Sequence, residues 1–149
     1  MSQPITTPAA DATPIACDMT DAPDTAEERM AEYGRLFAQH LAGRERTAEG
    51  IRFRLRAGDG VDAWVRHLSA REKACCPFFD FAVATVGGEV HWDITVIDDD
   101  TARAVLEEFY HVPENVAGGV KGLEDRLTGR GFAITTNEDR TVTEVRPRG

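Results

Sequence analysis

Residues Glu72–Ile97 read EKACCPFFDFAVATVGGEVHWDITVI. This stretch decides the fold class. Pro77 cannot continue a helix, so the periodic segment before it, about Val61 to Cys76, must end there. Its apolar stripe is Val61, Trp64, Val65 and Leu68, and it continues through Glu72 to Cys75 and Cys76. After Pro77, Phe78 and Phe79 fill a core pocket. Asp80 to Val86 then puts Phe81 and Val83 on one face of a strand. Gly87-Gly88 supplies a tight hairpin turn. Glu89 to Ile97 alternates, with Val90, Trp92, Ile94 and Val96 inward. One helix followed by an antiparallel hairpin is the kernel of an α+β protein.

Working outward, Ile51-Arg52-Phe53-Arg54-Leu55-Arg56 alternates perfectly and reads as a half-buried strand. Its three arginines face solvent or acidic partners. Upstream, Met30, Tyr33, Leu36, Phe37 and Leu41 mark a helix over about Thr25–Gly43. Asp24 and Glu27 have capping-box spacing. Downstream, Asp98-Asp99-Asp100 leads into a helix over about Thr101–Val112, with its acidic end where the macrodipole prefers it. The predicted fold is therefore α+β in two layers. A small antiparallel or mixed sheet carries helices on one face, in the order α-β-α-β-β-α plus a C-terminal extension.

Three segments follow from this. Residues 1–14 are poor in large apolar groups and predict a disordered arm. Residues 15–112 form the α+β domain with a three-cysteine site. Residues 113–149 form an extension. In it Val116, Val120, Leu123 and Leu127 predict a glycine-weakened helix. Phe132–Thr136 and Thr141–Val145 predict a hairpin around Asn137 to Arg140.

The chain of 149 residues carries 17 basic and 26 acidic side chains, a formal charge of -9. That balance disfavours nucleic acid, and only the late Arg140, Arg146 and Arg148 run against it. No apolar run has membrane-spanning length and no signal-peptide pattern opens the chain. The expectation is a cytoplasmic protein without a membrane partner, compatible with a homodimer.

The chemistry concentrates in Glu72-x-x-Cys75-Cys76. Three and four residues apart on a helix, these side chains share one face. Glu72 occupies an in-stripe position and needs a partner. Arg71 or the Arg52/Arg54/Arg56 face could supply a purely structural ion pair. Adjacent helical residues point about 100° apart, so a Cys75–Cys76 disulfide is disfavoured. Cys17 sits in a polar segment where a core cysteine is not expected, and Ile15-Ala16 could dock it against the pair. Three cysteines allow no complete disulfide framework, and free thiols are expected in a reducing compartment. Cys17, Cys75 and Cys76 with Glu72 are the candidate ligands of a soft ion: mercury, arsenite, lead, zinc or copper(I). Glu72 is also the candidate proton acceptor. No organic cofactor is implied. A helix C-terminus disfavours a thiolate, which argues for metal capture over a free nucleophile. His40, His67, His91 and His111 read as ordinary histidines, any of the last three being available as a fourth ligand.

Ile15-Ala16-Cys17 together with Glu72-x-x-Cys75-Cys76-Pro77-Phe78-Phe79-x-Phe81 resembles a family of small, mostly uncharacterised bacterial proteins. They share an IAC element and an ExxCC-x-F-[FL]-x-F segment. The resemblance covers about Ile15 to Val112 and implies an association with metal-responsive regulation or resistance. Residue by residue it carries over Cys17, Glu72, Cys75 and Cys76. Three functions remain open on the sequence. The first is a soft-metal or metalloid buffer, scavenger or sensor accessory. The second is a thiol-dependent enzyme that cleaves a carbon–metal bond or reduces a disulfide. The third is a non-catalytic interaction module with structural cysteines.

Overall fold

The computed structural model describes residues 15–148, so the expected arm over 1–14 lies outside the described residues. The architecture is α+β. It has a four-stranded antiparallel sheet, a three-stranded antiparallel sheet and helices packed against them.

Strand β1 is Ala16–Asp18. Helix α1 follows over Ala26–His40. Its N-cap is Thr25, one residue later than the Asp24–Glu27 spacing suggests. Glu28 N–H donates to the Thr25 hydroxyl at 3.1 Å and Thr25 N–H donates to the Glu28 carboxylate at 2.9 Å. Asp24 is thereby released for two arginines in the site. Thr25→Ala is expected to cost about 1 kcal/mol, readable as a lowered urea midpoint with an unchanged slope.

Helix α1 stops at His40, not at Gly43, because Leu41 already opens strand β2, Leu41–Arg46. This strand, LAGRER, has no apolar alternation. It forms because β3, Gly50–Arg56, needs a hydrogen-bonding partner on that edge. The pairing carries an irregularity between Leu41 and Gly43. The absence of a side chain at Gly43 leaves room for the Arg54 guanidinium, which would have to swing aside for a Cβ there. The α2 helix is Val61–Cys75, and β4 (Phe79–Val86) and β5 (Glu89–Val96) form the expected hairpin about Gly87-Gly88. The sheet order is β2-β3-β5-β4.

Ile51, Phe53, Leu55, Val90, Trp92 and Ile94 are all buried on one face of this sheet. Tyr33 and Phe37 of α1 and Phe109 of α3 (Asp100–Tyr110) pack on Phe53 and Trp92. The opposite face carries acid-paired arginines, as expected. Arg52 stands opposite Asp93 and bonds it, and Arg54 bonds Glu45 and Glu89.

The extension contributes α4 (Val112–Asn115), a 3-10 turn (Val116–Gly118), α5 (Gly119–Gly129), β6 (Phe132–Thr136) and β7 (Val142–Pro147). The predicted helix and hairpin are present. The unforeseen element is the sheet they join, in the order β1-β7-β6. The sequence-distant β1 pairs with β7, Cys17 standing opposite Thr143. The late arginines are occupied locally. Arg140 bonds Glu124, Arg146 bonds Glu144, and Arg148 donates to the Thr128 and Phe132 carbonyls. No helix among the described residues is long and apolar enough to cross a membrane.

Two ion pairs tie β2 to the following helices, Arg46–Glu107 and Arg44–Glu114. The bonds from Arg46 and Arg44 hold the Glu107 and Glu114 carboxyls down at about 2. A depressed folded-state pKa stabilises the protein above the ordinary carboxylate value, and that stabilisation is lost as pH falls through the folded value. Hydrogen-exchange protection in β2 and α4, corrected for the intrinsic rate at each pH, is therefore expected to fall between pH 4.5 and about 2. An Arg44→Ala/Arg46→Ala variant should already be loosened at neutral pH and lack this acid limb. If its acid limb matches the wild type, the pairs do not hold the edge.

Candidate functional site

The site lies where the end of α2 meets β1. Cys76 is the C-cap of α2, held by its N–H bond to the Glu72 carbonyl at 2.7 Å, and Pro77 forbids a further helical turn. Cys17 is fixed by backbone bonds from the extension. Met19 N–H donates to the Thr141 carbonyl at 2.6 Å and Val145 N–H to the Ile15 carbonyl at 2.9 Å. The docking of Ile15-Ala16 thus occurs, and β7 is what docks it.

The expectation of three free thiols is corrected by the structure. Cys17 and Cys76 are joined by a disulfide across a sequence separation of 59, and Cys75 is the free, buried thiol. The choice of Cys76 follows from helix geometry. Cys75 is the last helical residue and its side chain turns away by about 100°. Its Sγ accepts from Arg29 Nη1 at 3.7 Å. Burial pushes the Cys75 thiol up, and Arg29 offsets this only in part, so Cys75 is a neutral thiol at pH 7.

Glu72 sits one turn before Cys76. Its Oε2 lies 3.4 Å from Cys76 Sγ. In the disulfide that sulfur has no proton, and in the reduced form the thiol can donate to the carboxylate. Glu72 Oε1 accepts from Tyr33 Oη at 2.7 Å and Arg29 Nη1 at 3.2 Å. The partner of Glu72 is therefore Arg29 of α1, in place of Arg71 or the strand arginines. Burial and the Glu72 charge push the Tyr33 phenol well above its ordinary range, so it stays a donor. Arg29 is 4% exposed and grips Asp24 with two bonds, at 2.6 and 2.9 Å. Arg71 also bonds Asp24, at 3.0 Å, and takes Glu32 in a fork. Sequence reasoning missed Arg29 and Tyr33. The available signal was an arginine four residues before a stripe tyrosine, a cation in-stripe on α1 to match the anion in-stripe on α2.

Among the described residues, one set of potential metal-ligating groups converges: Cys17, Glu72 and Cys76 have ligand atoms within 4.8 Å of one another. Cys75 falls outside this set, and so do the histidines. His67 accepts from Arg71, His91 pairs with Glu89, and His111 bonds Glu107 and Glu114.

The sulfurs and Glu72 line a cavity of ≈ 160 Å³. Its remaining wall is mainly apolar, with Met19, Met30, Val120, Leu123, Leu127 and Ile134. Glu124 and Arg140, which pair with each other, also line it. Arg140 holds a φ of 62° at the β6–β7 turn. Much of this wall comes from the extension. No family model, curated protein or solved structure matches this chain.

Proposed function

We propose that, once the Cys17–Cys76 bond is reduced, this centre captures a soft metal or metalloid ion and that the protein acts as a buffer, scavenger or sensor accessory. One observation supports the reading. The Cys17 sulfur of β1 meets the Cys76 sulfur and Glu72 carboxylate at the end of α2, all within 4.8 Å on a cavity wall. Thiolates prefer soft ions such as mercury(II), arsenic(III) and copper(I), with zinc also accommodated. Capture releases the thiol protons, and Glu72 is placed to accept that of Cys76. Cys75 lies beside the pair as an auxiliary thiol.

The test is titration of the reduced protein with mercury(II), arsenite and zinc. One-to-one binding should disappear in Cys17→Ser and Cys76→Ser, weaken in Glu72→Gln and persist in Cys75→Ser. No binding by the wild type at micromolar concentration, or unchanged binding by Cys17→Ser, would sink the reading.

A second reading, reversible thiol–disulfide exchange, is favoured by the Cys17–Cys76 bond itself. It expects the bond to cycle with a small thiol such as glutathione, with mixed disulfides at Cys17 or Cys76 seen by mass spectrometry.

A further inference from the structure

We infer that the species this centre fits best is trivalent arsenic carrying one organic substituent, rather than the bare inorganic ion. The inference rests on the capture reading above and deepens it. Two observations carry it. First, the converging set holds two sulfurs, not three, because Cys75 faces Arg29. Arsenic(III) forms three bonds. Inorganic arsenite held by this pair keeps its third bond to a hydroxyl or takes the Glu72 carboxylate, both polar, whereas a monosubstituted arsenic is completed by two thiolates and turns its organic group to the wall. Second, the cavity of ≈ 160 Å³ beside the sulfurs is several times the ~30 Å³ that one water occupies in the liquid. It is walled by Met30, Val120, Leu123, Leu127 and Ile134. A bare ion leaves that apolar wall unused, and an aryl or alkyl group covers it.

The step balances without an external oxidant. A thiol reductant first opens the Cys17–Cys76 disulfide to two thiols and is itself oxidised. The organoarsonous acid R–As(OH)2 then exchanges both As–O bonds for As–S bonds. The two thiol protons leave with the two hydroxyls as two waters. Arsenic stays trivalent and the adduct is neutral. A neutral adduct suits this wall, because Glu72 is already matched by Arg29.

The probe is phenylarsine oxide, compared with arsenite and mercury(II), on the full chain reduced with a phosphine. Phenylarsine oxide is expected to bind about 30-fold more tightly than arsenite, from the apolar area its ring buries. Val120→Trp, which fills the cavity from α5, should cut phenylarsine oxide affinity about 10-fold or more and leave mercury(II) affinity within about 3-fold. Retained mercury(II) binding shows that this variant still folds. Leu123→Ser gives a second, milder test in the same direction. Arsenite binding as tight as phenylarsine oxide, with Val120→Trp indifferent to both, would overturn the inference while leaving metal capture standing. Failure of all three probes on the reduced wild type overturns capture and the inference together.

Discussion

Cys17→Ser is expected to lower stability by about 4 kcal/mol under oxidising conditions and by almost nothing under reducing ones. The Cys17–Cys76 bond closes a loop of sequence separation 59. In the chain-entropy account a loop of that length constrains the unfolded ensemble by about 4 kcal/mol. The bond also pins β1, a three-residue strand that contributes little burial of its own. The urea midpoint of wild type should therefore fall on reduction, while that of Cys17→Ser should be indifferent to reductant. Cys75 cannot restore the link by pairing with its neighbour Cys76, since adjacent side chains at a helix end diverge. Equal midpoints for oxidised wild type and Cys17→Ser would show that the bond constrains nothing. The same variant removes one of two converging sulfurs, so reduced Cys17→Ser should fail to retain mercury(II) through gel filtration. The two readouts are independent, one seen only with the bond intact and the other only with it open.

What the sequence made legible was whatever depended on local periodicity. Val90, Trp92 and Ile94 alternate because a half-buried strand must alternate. Pro77 and Gly87-Gly88 punctuate it for reasons internal to their own backbones. The hairpin of Phe132–Thr136 and Thr141–Val145 was visible for the same reason. Strand β2 was not visible, because Leu41–Arg46 is held by its neighbour's edge and by arginines reaching Glu107 and Glu114, none of which leaves a pattern in LAGRER. The β1–β7 pairing joins opposite ends of the chain and depends on two short segments meeting in space. At the site, Glu72 and the cysteines stood out as chemistry misplaced on an apolar stripe. Which cysteine faced Cys17 depended on the helix ending at Cys75. The cavity wall was illegible because about half of it comes from α5 and the β6–β7 hairpin, elements whose own reading gave no reason to place them against Cys17.

Arg29→Met is expected to destabilise the protein by about 3–5 kcal/mol, the usual consequence of leaving a buried charge without its partner. Arg29 is 4% exposed and is shared among Asp24, Glu72 and the Cys75 sulfur. Once it is gone, Asp24 keeps Arg71, but Glu72 keeps only the Tyr33 hydroxyl. The loss therefore falls on Glu72, and this identifies the variant that should compensate. Replacing both members, Arg29→Met with Glu72→Met, removes the orphaned charge and fills the space with apolar atoms. Its stability should return to within about 1–2 kcal/mol of wild type. Arg29→Lys retains a charge but not the planar fork that grips Asp24 twice, and should fall between the two. Urea denaturation of wild type, Arg29→Met, Glu72→Met and the double variant completes a double-mutant cycle. A double variant no more stable than Arg29→Met would show that Arg29 acts mainly on Asp24, and that Glu72 is solvated well enough to stand alone. Recovery in the double variant, accompanied by weakened mercury(II) binding, would instead separate the two roles of Glu72. Its charge would be a cost that folding bears through Arg29, retained for the sulfur pair beside it.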